Sequence, residues 1–161
     1  MQGKLKRVHF NTWEAMYFDQ SESRLFALVD AAADLGIERF VLDDGWFKNR
    51  RSDAAALGDW VVDAEKFSKG LSPLIDRVIA KGMEFGLWIE PEMVSPDSDL
   101  YRAHPDWVMG IEGTPTVLAR NQLVLDLSRS DVQQYLFDAL NTLLSEYPIS
   151  YLKWDMNRAI H

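Results

Sequence analysis

Tyr151-Leu152-Lys153-Trp154-Asp155-Met156-Asn157-Arg158 is the stretch on which the reading of this chain turns. It follows a helical segment and Pro148, so it reads as a buried strand that ends in a loop. Strand side chains alternate between faces. Tyr151, Lys153 and Asp155 therefore share one face, while Leu152 and Trp154 share the other and can pack on covering helices. A Lys and an Asp two positions apart in a buried strand are costly unless paired or put to use. Two readings are open at this point: a structural ion pair, or a catalytic carboxylate kept ionised by a neighbouring ammonium.

The same pattern recurs upstream. Phe85-Gly86-Leu87-Trp88-Ile89 runs into Glu90-Pro91-Glu92, Phe40-Val41-Leu42 runs into Asp43-Asp44-Gly45-Trp46, and the first strand, from Val8, ends in Trp13-Glu14. Short, solidly apolar runs are those of parallel strands covered on both faces. Helical spacing predicts a helix over 23–35, with Leu25, Leu28, Val29, Ala32 and Leu35 inward, Ser21 as cap and Gly36 as stop. A second is predicted over 71–81, with Leu71, Leu74, Ile75, Val78 and Ile79 inward and Gly82 as stop. A third covers 131–146, with Val132, Tyr135, Leu136, Ala139, Leu140, Leu143 and Leu144 inward and Ser130 and Gln133 at capping-box spacing. A proline-rich loop after Pro91 holds one short helical piece near 99–104, and 122–126 is a short extended run. The order β-α-β-α-β-loop-α-β predicts an α/β fold with a parallel sheet and right-handed crossovers, open or closed into a barrel.

Composition narrows the function. The 161 residues can bury a real core, and their 47% apolar and 26% charged content is that of a globular domain. A net charge of -8 argues against a nucleic-acid partner. Without cysteine there is no disulfide framework and no thiolate metal site, which fits a reducing compartment; the expected location is cytoplasmic. The basic start, residues 1–7, is followed by no apolar stretch of the signal-peptide kind, and no run is long enough for a membrane span. His9, His104 and His161 show no ligand spacing, so a histidine metal site is not expected, and the leading reading calls for no cofactor. Six tryptophans, several beside acids, suit sugar binding as well as a core.

In a parallel sheet the C-terminal strand ends lie on one side, where α/β barrels build their sites. The acids, Trp13, Trp88 and Lys153 at those ends therefore fall together. Asp43 and Asp44 are either a turn with Gly45 or a pair suited to sugar hydroxyls. Glu90-Pro91-Glu92 can simply fix the strand exit, Arg120 alone reads as a loop cation, and Met93 and Met156 read as packing residues.

Four blocks carry a resemblance: Asp43-Asp44-Gly45-Trp46-Phe47; Gly86-Leu87-Trp88-Ile89-Glu90-Pro91-Glu92-Met93; Arg120 with Gln122-Leu123-Val124-Leu125-Asp126; and Lys153-Trp154-Asp155-Met156-Asn157-Arg158. Together they resemble the signature blocks of family 36 glycoside hydrolases, retaining α-galactosidases with a TIM-barrel catalytic domain. The likeness extends from about Val8 to Ile160. It implies that Asp155 is the nucleophile at the end of the fourth barrel strand. It implies that Asp43 and Asp44 bind galactose hydroxyls, that Trp88, Arg120, Lys153 and Asn157 complete the sugar subsite, and that Trp13 stands at its rim. Thr12, Lys48 and Ala119 depart from the family pattern, which has Asn, Gly and Gly there.

The expectation that follows is a (β/α) half-barrel of about four parallel strands, residues 1–161 being a single partial catalytic domain, the first half of a (β/α)8 barrel. The family's general acid/base lies in the other half. The expected reaction is hydrolysis of terminal α-galactosides of the melibiose or raffinose type through a galactosyl-Asp155 intermediate, inactive in the isolated half. Expected partners are that oligosaccharide and either a second copy or the missing C-terminal half, with no nucleic acid and no membrane. The alternatives are a non-catalytic self-assembling half-barrel, a galactosyl transferase of the same family, and a barrel enzyme holding Mg²⁺ on Asp43, Asp44 and Glu90.

Overall fold

The computed structural model of this chain describes residues 6–111 and 113–159; residues 1–5 of the basic start and His161 lie outside them. Strands β1 (His9–Asn11), β2 (Arg39–Leu42), β3 (Glu84–Ile89) and, late in the chain, Tyr151–Trp154 form one sheet. All neighbours in it run parallel. The expected α/β arrangement of four parallel strands is therefore the observed one. After β1 the chain makes one helical turn, α1 (Trp13–Met16), and then α2 (Glu22–Asp34); α3 (Ser72–Ala80) joins β2 to β3. Beyond β3 a separate two-stranded antiparallel piece forms from β4 (Met93–Val94) and β5 (Leu123–Val124), with the short helix α4 (Asp99–Ala103) between them. Helix α5 (Ser130–Glu146) then leads to β6 (Tyr151–Trp154).

Alternation along the strands separates two environments. Phe40, Leu42, Phe85, Leu87 and Ile89 point one way and join Leu25, Val29 and Ala32 of α2, Leu74, Ile75 and Val78 of α3, and Val132, Leu136 and Leu143 of α5 in a continuous buried core. The other face is polar and layered. At its lower end Arg39 puts two donors on Glu84 Oε2 (3.1 and 2.8 Å), Arg7 bonds the other oxygen, and the Arg39 guanidinium lies 4.2 Å above the Tyr151 ring. At its upper end stand Asp43, Trp88, Lys153 and Asp155.

Several expectations were too generous to the core. Leu35 (82% exposed), Ile79 (49%) and Leu144 (45%) end helical stripes that turn out of the contact as the helices leave the sheet. Trp154 is 55% exposed; it does not pack under a helix, and its indole N–H donates to Glu92 Oε1 at 2.8 Å. Met93 is buried but Met156 is not. The capping box at Ser130 does not form. Arg129 is the cap residue, and Gln133 reaches back to the Leu127 carbonyl instead. Ser21 stands at the start of α2 in an extended conformation but makes no side-chain cap bond. No helix among the described residues is long and apolar enough to cross a membrane.

Gly86 explains one of the sequence blocks. It pairs with Val41 and Tyr151, and a Cβ there would lie 2.9 Å from Tyr151 Cδ1 and 3.2 Å from Val41 Cγ2. The absent side chain is what lets Tyr151 lie across β3. Gly86→Ala should therefore lower stability by about 1–3 kcal/mol. The check is the shift in urea midpoint of the protein, and an unchanged midpoint would mean that Tyr151 moves aside freely.

Candidate active site

The ends of β1, β2, β3 and β6 open into a cleft of about 320 Å³. The eight residues that the resemblance assigns all line it: Trp13, Asp43, Asp44, Trp88, Arg120, Lys153, Asp155 and Asn157. Of the other strand-end acids Glu90 lines it too, whereas Glu14 and Glu92 do not; they accept from Tyr17 and Trp154 instead. Each arrives there by a local cause. Asp43 follows β2 and its amide donates to Thr12 Oγ1 at 2.9 Å, so the departure at Thr12 keeps a buried acceptor that ties β1 to β2. Trp88 is the last inward residue of β3. Its ring stacks on Phe47, with centroids 6.4 Å apart and planes 2° apart, and its carbonyl accepts from Trp46 Nε1. Lys153 pairs in register with Trp88 and reaches over β3 to Asp43 Oδ2 at 2.7 Å.

Arg120 comes from a different device. Residues 119–122 make a two-residue hairpin turn in which Arg120 (φ +52°) and Asn121 (φ +58°) are both left-handed. Arg158 braces that turn by donating to the Val117 and Gln122 carbonyls. The turn brings the Arg120 guanidinium to 3.4 Å from Asn157 Oδ1. Trp13 sits at the rim with its ring edge-on to Tyr17 and Phe18, centroids 5.1 and 5.2 Å away.

Asp155 is the most thoroughly oriented carboxylate. Its Oδ2 accepts from Trp88 Nε1 (2.9 Å) and Asn157 Nδ2 (3.0 Å), and its Oδ1 accepts from the Met156 amide (2.9 Å). Burial alone would push its carboxyl up. The bonds from Trp88, Asn157 and Met156, with the charge of Lys153, outweigh that and hold it below the usual aspartate value. Of the two sequence readings of Lys153 and Asp155, the direct structural ion pair is not what forms, while the Lys153 charge does help to keep Asp155 ionised, as the lesser of several causes. Lys153 bonds Asp43, and Asp155 takes its bonds from an indole, an amide and the backbone.

Asp44 is held differently. Arg50, almost fully buried, puts Nε on Oδ1 (2.9 Å) and Nη2 on Oδ2 (2.7 Å). Burial pushes the Asp44 carboxyl up, against the pull of Arg50. Glu90 is fully buried; it accepts the Asn157 amide on Oε1 and Gln122 Nε2 on Oε2 at 3.1 Å. Burial raises its carboxyl, and the nearby Asp155 charge adds to that. Glu90 thus fixes the 155–157 turn from below. The Mg²⁺ alternative finds no support in the donor set, because Asp43 and Asp44 already face the cations Lys153 and Arg50 and Glu90 accepts from Asn157 and Gln122. Among the described residues no group of three or more acids or histidines is arranged to hold a metal ion.

Phe18, Arg50, Asp53, Glu90 and Gln122 also line the cleft. Phe18, Arg50 and Asp53 come from loops without periodicity. A basic residue close after an acid pair, as in Asp43-Asp44 and Arg50, is the one signal that could have pointed to Arg50. Breaking that buried pair leaves an uncompensated carboxylate. Arg50→Met should cost about 3–5 kcal/mol in chemical denaturation, and Arg50→Met with Asp44→Asn should recover part of it. Equal losses in the single and double variants would contradict this.

The melibiase family model matches residues 1–161. An alpha-galactosidase from Escherichia coli is 48% identical over 157 residues, covering 98% of this chain and 22% of the relative. Among solved structures, the GH36 alpha-galactosidase AgaB from Geobacillus stearothermophilus superposes with a TM-score of 0.93 at 50% identity, over 97% of this chain and 22% of that one. A variant of the GH36 alpha-galactosidase AgaA from the same organism, solved in complex with raffinose, gives 0.93 at 48% identity over the same shares. The chain spans about a fifth of the length of the relatives it matches.

Proposed function

The chain belongs to the melibiase family, the family 36 glycoside hydrolases that its sequence blocks resemble, and we propose that it carries the nucleophile and most of the galactose subsite of a retaining α-galactosidase. In this reading residues 1–161 are one partial catalytic domain, the first half of a (β/α)8 barrel. Four parallel strands and coverage of 22% of the solved relatives support it, since a whole barrel needs about 250 residues. The observation that carries the proposal is Asp155. It is a carboxylate at a strand end, with two donors on one oxygen, in a cleft lined by every residue the resemblance assigned to the sugar.

The geometry suits each role. Asp155 Oδ1 takes one backbone bond, and its other oxygen is fixed by Trp88 and Asn157, so the group is aimed and kept ionised as a nucleophile must be. Asp43, bridged by Lys153, and Asp44, bridged by Arg50, present acceptors of fixed direction to sugar hydroxyls. Trp88, Arg120, Lys153 and Asn157 complete the subsite, with Trp13 as an aromatic rim. A retaining glycosidase needs a second carboxyl about 5–5.5 Å from the first as acid/base. Glu90 is a poor choice because an acid/base must itself carry and give a proton, whereas this fully buried carboxyl faces an N–H donor on each oxygen. The acid/base is assigned to the other half of the barrel. Substrates are terminal α-galactosides of the melibiose or raffinose type, with transfer to a sugar acceptor as the variant reaction. A cytoplasmic setting is part of the proposal, in keeping with a chain that has no cysteine.

In a chain carrying the whole barrel, Asp155→Asn should lower turnover of p-nitrophenyl α-galactoside at least 10⁴-fold, an order-of-magnitude expectation for loss of the nucleophile, while leaving the fold intact. Azide should restore turnover and yield β-galactosyl azide. Near-normal turnover of the variant would sink the assignment.

The 161 residues expressed by themselves are a separate case. Among the described residues, β1 and β6 each have one unpaired edge. Open edges recruit partners, and a second copy related by a two-fold axis can set four strands against four. We expect a homodimer or larger assembly with very little galactosidase activity, because pairing duplicates Asp155 without adding an acid. Sedimentation equilibrium with an activity assay on one sample tests this; a cooperatively melting monomer would contradict it.

A further inference from the structure

Lys66 lies outside the residues that line the cleft, yet its ammonium is saturated by the cleft's own backbone. Its Nζ donates to the carbonyls of Phe18 (2.9 Å), Gly45 (2.6 Å) and Arg50 (3.0 Å). An ammonium has three N–H groups, and here each finds one carbonyl. Phe18 belongs to the segment after α1, while Gly45 and Arg50 belong to the loop after β2, so one side chain joins two separate walls. Phe18 and Arg50 line the cleft, and Gly45 directly follows Asp44. Gln20 adds a second tie by donating Nε2 to the carbonyls of Asp43 (3.1 Å) and Asp44 (2.7 Å). Gly45 fits this crowding only as glycine, with φ at +114° and Gln20 Nε2 3.2 Å from where a Cβ would stand.

We propose that Lys66 is a positioning residue that, without touching substrate, fixes the Asp44–Arg50 wall and the Phe18 rim of the sugar site. The assignment of that wall to galactose rests on the function proposed above; the clamp itself does not. The chain of contact is short. Lys66 holds the Arg50 carbonyl, the Arg50 guanidinium holds both oxygens of Asp44, and Asp44 faces the cleft.

Protonation adds a signature. Burial, and then the Arg51 charge, push the Lys66 ammonium down to about 8, against the opposing charges of Asp63, Asp44 and Asp19. A folded value below the ordinary 10.5 means that this group's contribution to stability is present above 10.5 and is lost as pH falls through about 8. Raising the pH through about 8 therefore does not weaken the fold through Lys66. It does remove one of the three donors, so ligand affinity and stability move apart.

The test is hydrogen exchange on a chain carrying the whole barrel, native and Lys66→Met, with galactose affinity measured by calorimetry on the same samples. Amides in segments 17–20 and 43–51 should exchange roughly tenfold or more faster in the variant, with those of α5 unchanged. Galactose should bind about 10- to 100-fold more weakly. Native affinity should fall between about pH 7 and about pH 9.5, and Lys66→Arg, charged throughout, should flatten that fall. The arginine variant keeps the test open if Lys66→Met does not fold. Native exchange in both segments of Lys66→Met, or an unaltered alkaline fall in Lys66→Arg, overturns the inference. A native protein that binds no galactose overturns the sugar reading instead, and the exchange result then decides the clamp alone.

Discussion

Lys153 reaches from β6 across β3 to Asp43 at the end of β2, and this 2.7 Å contact depends on the parallel register more directly than any other. It requires Lys153 to stand level with Trp88, which the β3–β6 pairing provides. It requires Asp43 to follow one residue after Leu42, which pairs with Leu87. A slip of one residue in any one of these strands would turn that strand's upper-layer residues into the helix-covered face. The apolar face prevents that slip, because Phe40, Leu42, Phe85, Leu87 and Ile89 have a place only under α2, α3 and α5. The burial that stabilises the domain thus also aligns the cleft.

The carboxylates in that cleft are kept distinct by their donors. Asp43 has an ammonium, Asp44 a bidentate guanidinium, Asp155 an indole and an amide, and Glu90 a backbone N–H and an amide. Four acids so close would otherwise raise one another's protonation. Asp155 is the one held below its usual value while still facing open space, and Glu90 and Asp44 are the ones burial pushes up. That division separates the proposed reacting group from the groups that support it.

Most of the site was legible in the sequence because parallel strands convert position into direction. A polar residue just after an apolar run must emerge at the C-terminal edge, so Asp43, Trp88, Lys153 and Asp155 could be put together without coordinates. Arg120 needed the resemblance, since only a left-handed hairpin turn brings it over the cleft. Phe18 and Lys66 were not legible, and Arg50 only faintly so, as a base close after an acid pair. They sit in irregular loops, where contacts depend on the path of the backbone and leave no period in the sequence. Helix ends were misread for a related reason: a hydrophobic stripe continues in sequence past the point where the helix leaves its neighbour, as Leu35 and Ile79 do. Capping spacing at Ser130 was satisfied in sequence, but the helix starts one residue earlier with Arg129 as cap, and Gln133 donates to the Leu127 carbonyl where a capping box would have it accept.

The account stands or falls on Asp155 as the group that bonds to the sugar. The most direct measurement is to trap it. A chain carrying the whole barrel, treated with a 5-fluoro-galactosyl fluoride, should accumulate a covalent ester, because the ring fluorine slows both attachment and loss of the sugar while the reactive fluoride leaving group speeds attachment alone. Peptide mapping by mass spectrometry should then find one galactosyl label, on Asp155 within Tyr151–Arg158. A label on Asp43, Asp44 or Glu90, or an active enzyme that takes up none, would contradict the account.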